Sequence, residues 1–192
     1  MLPSKILIAC GIFKDELTAV LPGNDIDVLW LDTALHAEPE VLKKQLSLAG
    51  QMAASKTLNA LIPVRFLVGN ACHPEMDTLA RNCSACPAPF KNCIEAFVGE
   101  RQAELESGKT MLITPGWVRA WPGRASSGLG WDETEMRIQH GRYDRIVLLE
   151  PGINPVSDEE IFKLFDLLRV PIDIEPLDLE HFRKTVADIL GD

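Results

Sequence analysis

The residues best equipped for chemistry in this chain are its five cysteines, Cys10, Cys72, Cys83, Cys86 and Cys93. Thiolates are soft ligands: four of them close a tetrahedral zinc site, and thiolates also carry iron–sulfur clusters. The run Cys83-Ser84-Ala85-Cys86 lets two sulfurs reach one metal from a single turn. With Cys72 before it and Cys93 after it, the set reads as a site for zinc or an iron–sulfur cluster. A closed structural zinc would use Cys72, Cys83, Cys86 and Cys93. A reactive cluster would draw three ligands from different loops, and Cys10 competes for either role. Buried apolar cysteines or a redox dithiol are the alternatives. Pro87 and Pro89 favour a looped ligand arm over the helix start that carries a thioredoxin-like pair.

Other side chains are candidates by position. His73 adjoins Cys72 and could serve as ligand or acid–base group. His36 follows Leu31-Asp32-Thr33-Ala34-Leu35, where it caps a turn or faces the site, and Trp117 stands where it would line it. His140 and His181 lie in polar helical contexts and are expected to be solvated. No G-x-G-x-x-G, P-loop or G-x-S-x-G is present, so readings as a dinucleotide, nucleoside-triphosphate or serine-hydrolase protein lack their signatures.

The elements that must position these residues alternate. Lys5–Ala9 reads as a buried strand ending at Cys10-Gly11, and Asp15–Leu21 as a short helix. Ile26–Leu31 is a second strand, followed by a helix from Pro39 to about Ala54. Leu58–Val68 gives a third strand, and Thr110–Thr114 and Arg145–Leu149 a fourth and fifth. Phe90–Ser107, Glu133–His140, Asp158–Leu168 and 178–190 are expected helices, with a short strand at 171–175. Residues 71–93 form a Cys-rich loop inserted after the third strand. Residues 115–131 form a Trp/Gly-rich loop, since Pro122 and three glycines break up 119–130. Strands alternating with helices predict an α/β fold: one domain over 1–192, with a mostly parallel Rossmann-like sheet and helices on both faces. In such sheets ligands bind beyond the carboxyl ends of the strands. Cys10, the Asn70-Ala71-Cys72-His73 segment and Thr114-Pro115-Gly116-Trp117 all follow strands, so they converge on that edge.

Composition narrows the partners. The formal net charge of −9 argues against nucleic acid and membrane surfaces, which need a basic face. No apolar run approaches the roughly 20 residues of a membrane-spanning helix. The N-terminal residues read as the approach to a strand rather than a signal core, so a cytoplasmic location is expected. There cysteines bind metal or react more often than they form disulfides.

Taken together, these landmarks resemble a family of uncharacterised prokaryotic proteins, domain of unknown function 1638. The matching pieces are Ile8-Ala9-Cys10-Gly11, then Leu31-Asp32-Thr33-Ala34-Leu35-His36 with Pro39. Cys72, Cys93-Ile94 and Leu112-Ile113-Thr114-Pro115-Gly116-Trp117 complete the set. The resemblance implies a partnership with corrinoid-dependent methyltransferase systems, and it implies that Cys10, Cys72 and Cys93 are the family's cysteines. Cys83 and Cys86 look like additions to that pattern. Three functional expectations follow. The first is a metal or iron–sulfur protein of corrinoid, one-carbon or redox metabolism. The second is a non-catalytic partner protein with a structural zinc. The third is a small-molecule-binding domain in which Arg119 and Arg124 meet an anionic ligand.

Overall fold

The computed structural model describes residues 3–21, 23, 25–33, 39–57, 62–127 and 132–191, with the backbone only for 122–127. Six strands are described: β1 (Lys5–Cys10), β2 (Ile26–Leu31), β3 (Val64–Leu67), β4 (Thr110–Ile113), β5 (Arg145–Glu150) and β6 (Ile172–Pro176). They form two three-stranded sheets, ordered β2-β1-β3 and β4-β5-β6. Every pairing is parallel, as the alternation of elements requires.

A parallel sheet must be covered on both faces, and the side chains divide accordingly. In β1, Ile6 and Ile8 enter one core while Leu7 and Ala9 enter another. In β5, Val147 and Leu149 join Leu7 and Ala9, whereas Ile146 and Leu148 face a third core. Period-two alternation thus gives each sheet its own outer core and one central core to which both contribute. The central core is closed by α1 (Lys14–Val20), α4 (Cys93–Val98) and α9 (Glu180–Leu190), with Phe13 just ahead of α1. Outer cover comes from α2 (Pro39–Thr57) and α3 (Met76–Asn82) on the first sheet. On the second sheet it comes from α6 (Pro115–Ser127), α7 (Glu133–His140) and α8 (Asp158–Leu168). No helix among the described residues is long and apolar enough to cross a membrane.

Three expected boundaries differ. The loop expected over 115–131 is helical as far as Ser127, and 128–131 lie outside the described residues. Pro115 occupies the first helical position, where its missing N–H costs nothing, and the Trp117 and Val118 amides bond the Thr114 carbonyl. Burial of Val118 and Trp121 against the second sheet's outer core outweighs the bond that Pro122 cannot donate. The Cys-rich segment 71–93 is likewise not a continuous loop. It contains a 3₁₀ turn at Asn70–Cys72 and then α3, which buries Met76, Leu79 and Ala80. Lastly, the helix expected from Phe90 to Ser107 is broken. Gly99 has φ +59°, and a Cβ there would sit 2.7 Å from Cε1 of His181, so the chain turns before α5 (Gln102–Leu105).

Candidate functional site

The carboxyl ends of β1, β3 and β4 carry the loops that hold the expected site residues. After β3, the Asn70 amide donates to the Phe90 carbonyl at 2.9 Å and the Ala71 amide to the Lys91 carbonyl at 3.0 Å. The turn bearing Cys72 is thereby laced to the segment that leads into Cys93. Gly69 makes this contact possible: a Cβ would lie 2.4 Å from the Lys91 carbonyl oxygen and 2.9 Å from the Asn92 Cα. Both obstacles are backbone and cannot step aside. Gly69→Ala is therefore expected to cost about 1–3 kcal/mol, the range for overpacking a close contact. A urea titration measures it; an unchanged midpoint would mean that the loops do not need this approach.

Cys93 opens α4, and the Asn92 side chain caps that helix by accepting from the Ile94 and Glu95 amides at 3.0 and 2.9 Å. The cap fixes the backbone on which the Cys93 sulfur is carried. Across from it, the Trp117 indole N–H donates to the Cys93 Sγ at 3.1 Å. Trp117 reaches this point from the first turn of α6. That turn abuts the loop after β1, since a Cβ on Gly116 would meet the Ile12 carbonyl oxygen at 2.2 Å. Cys10 ends β1 two residues before Ile12 and is 2% exposed. It belongs to the central core, against which Cys93 and Trp117 also pack. A continuous run of contacts therefore joins the loops of Cys10, Cys93 and Cys72.

Cys83 and Cys86 stand apart. The Cys83 sulfur packs onto α2 in the space where Gly50 lacks a side chain, and Cys83 and Cys72 both border the first sheet's outer core. Burial pushes the Cys83 thiol's pKa upward, which disfavours the thiolate. Cys86 is exposed. Among the described residues, no three His, Cys, Asp or Glu side chains form a group that could hold a metal ion. Neither the local four-cysteine knuckle nor a three-loop set of Cys10, Cys72 and Cys93 is assembled as a metal-holding group in this structure. His36 lies outside the described residues.

The remaining histidines have local work. His73 is buried, and its Nδ1 accepts the Glu75 amide at 3.0 Å, closing the turn before α3. His140 is buried rather than solvated: its Nδ1 bonds the Met136 carbonyl at 2.8 Å and its ring meets the Trp121 ring edge-on. Desolvation moves its pKa downward. The sequence placed His140 outside because its neighbours Gln139 and Arg142 are polar, although the 3.6-residue period puts it beside Met136. His181 is exposed, as expected.

Arg119 was expected to meet an anionic ligand, but protein groups already occupy it. It pairs with Asp15 at 3.3 Å and Glu160 at 3.5 Å, and donates to the Asn154 carbonyl at 2.7 Å. The Arg124 side chain lies outside the described residues. Sequence reasoning missed Glu16, which is only 2% exposed and whose Oε2 has no hydrogen-bond partner among the described residues. Desolvation pushes its carboxyl up to about 7; a backbone hydrogen bond and Arg119 oppose the shift, while Asp15 and Glu150 add to it. One signal was available. Phe13, Glu16 and Leu17 recur at helical spacing, which puts Glu16 on the buried stripe.

The family model described as "Protein of unknown function (DUF1638)" matches residues 30–186. The chain belongs to this family. The DUF1638 match takes in Cys72, Cys83, Cys86, Cys93 and Trp117, while β1 with Cys10, and α1 with Glu16, precede it. No curated protein matches the chain.

Proposed function

We propose that this DUF1638 protein binds a metal ion or iron–sulfur cluster at the carboxyl edge of its strands, with Cys10, Cys72 and Cys93 as ligands. The observation that carries the reading is the chain of close loop contacts from Ile12 through Gly116 and Trp117 to Cys93, and from Asn92 back to Gly69. The loops that carry Cys10, Cys72 and Cys93 contact one another in sequence along this edge. Thiols suit a soft metal, but the three are not gathered into a metal-holding group in this structure, so binding would have to draw their loops together. The Trp117 N–H also supplies the outer hydrogen bond to sulfur that tunes such sites. When bound, the group would provide either redox chemistry or Lewis acidity. The protein's own part is to hold the sulfurs, keep the Cys10 end dry and donate to Cys93. Cys83 and Cys86 are further candidate ligands. The proposed setting is corrinoid, one-carbon or redox metabolism, with a corrinoid or methyltransferase protein as partner.

Anaerobic purification, elemental analysis and a visible spectrum test the reading. At least one zinc or iron per chain is expected, and Cys10→Ser, Cys72→Ser and Cys93→Ser should each lower it severalfold. Cys86→Ser, at an exposed position, should lower it least. Substoichiometric zinc and iron in the parent protein, with no visible absorption, would defeat the proposal.

A further inference from the structure

A cavity of about 230 Å³ opens beside the cysteine edge, lined by Gly11, Lys14, Glu16, Thr33, Gly116 and Arg119 among others. It lies where the loops after β1 and β2 meet the N-terminal turn of α6. Nothing in the proposed metal chemistry uses it. The size is below the roughly 300–1,000 Å³ of pockets for drug-sized ligands, so its occupant is compact.

The lining sets Lys14 and Arg119 against Asp15 and Glu16, and Arg119 is already paired with Asp15 and Glu160, so Lys14 is the basic side chain left to meet a ligand. Lys14 is exposed at the rim, and α6 is a 13-residue helix whose positive N-terminal end reaches the cavity at Gly116. The acidic neighbours are already engaged. Asp15 is held by Arg119 and by the Asn154 side-chain amide at 2.7 Å. Glu150 accepts the Gly152 and Val156 amides, and Glu160 is bound in the Ser157 cap and to Arg119. Glu16 differs, since it lines the cavity while buried, with an oxygen that no described group satisfies. A buried carboxyl oxygen without a partner is costly unless a bound molecule supplies one.

We propose that this cavity binds the oxyanion of a small metabolite, a carboxylate or phosphate group. Lys14 and the α6 N-terminus meet its charge, and the buried Glu16 carboxyl donates a hydrogen bond to it. An ionised Glu16 would repel the same ligand. With the Glu16 carboxyl raised to about 7, affinity should therefore fall as pH rises through neutrality. Lys14 and Asp15 on α1, Arg119 on α6, Glu150 at the end of β5 and Glu160 on α8 are the charged groups around it. The site stands whether or not the cysteines carry a metal.

The test is an amide NMR titration of the full chain with sodium acetate and, separately, inorganic phosphate, at pH 6 and pH 8. Saturable shifts are expected at Gly11, Lys14, Glu16 and Gly116. Response to acetate assigns a carboxylate ligand, and response to phosphate assigns a phosphate. The affinity for acetate should drop about tenfold between the two pH values, following the protonated fraction of Glu16. Glu16→Gln should bind acetate with an affinity that no longer changes over this range. Lys14→Ala, an exposed substitution that leaves the fold alone, should weaken binding at both. Absence of saturable shifts with either anion at millimolar concentration, or a pH dependence unchanged in Glu16→Gln, would overturn the proposal.

Discussion

Glu16→Gln is expected to make the protein more stable at pH 8 by about 3 kcal/mol while changing little at pH 4. The Glu16 carboxyl titrates near 4.5 when solvated and at about 7 in the folded chain, because folding strips water from the charged form. Its folded-state pKa is raised, so the folded protein holds the proton over a range where the unfolded chain has released it. The stabilisation from neutral Glu16 is fully present below pH 4.5 and is lost as pH rises to about 7. A gap of roughly 2.5 units at about 1.4 kcal/mol each gives the expected size. Glutamine keeps the shape and a donor but has no charge to desolvate. Urea unfolding in buffers free of carboxylate and phosphate, at pH 4, 6 and 8, measures the difference. Equal offsets at all three would show that the burial of charge is not what sets the stability at this position.

That carboxyl also marks the limit of what could be read from the residues alone. Elements with strong local signals were legible. Ser157 and Glu160 form a reciprocal capping box, and α8 begins at Asp158 as expected. The parallel order followed from alternation of strands and helices. The helix α6 was hidden because Pro122 and Gly123 argue locally against it, and only the packing of Val118 and Trp121 on the second sheet overrides them. Spacing alone does not say where the cysteine sulfurs lie. Cys83 and Cys86 are near neighbours in sequence, yet α3 and the turn at Ser84, with φ +55°, leave one sulfur against α2 and the other in solvent. Convergence of the loops of Cys10, Cys72 and Trp117 was expected from the rule about strand ends, whereas Cys93, which opens α4, does not follow a strand. The locking of those loops was not legible, because Gly69 and Gly116 act through contacts with Lys91 and Ile12, far away in the chain. Glu16 sits in a helix of seven residues, where its periodic position competes with the acidic neighbour Asp15 for the reading.

Phe182→Ala is expected to cost about 3–5 kcal/mol, the usual price of emptying a large aromatic site. That is much of the roughly 5–15 kcal/mol by which a domain is stable. Phe182 is fully buried in α9, with its ring centroid 4.6 Å from that of Phe97 and 5.4 Å from that of Phe13. Phe97 lies on α4, the helix that starts at Cys93, and Phe13 closes the turn that follows Cys10. The same core takes Leu7 and Leu67 from the first sheet and Leu112, Val147 and Leu149 from the second. The C-terminal helix thus fastens the two sheets and, with them, the loops that carry the cysteines. A cavity there should lower the stability of both sheets together and loosen Cys93 relative to Cys10. Denaturation followed by far-ultraviolet circular dichroism and by tryptophan fluorescence should give one coincident transition, shifted to lower urea. Phe162→Ala, at a position 67% exposed on α8, should shift it by no more than about 0.5 kcal/mol. Two separated transitions in Phe182→Ala, with only one moved from its parent position, would mean that the sheets are stabilised independently and that α9 does not join them.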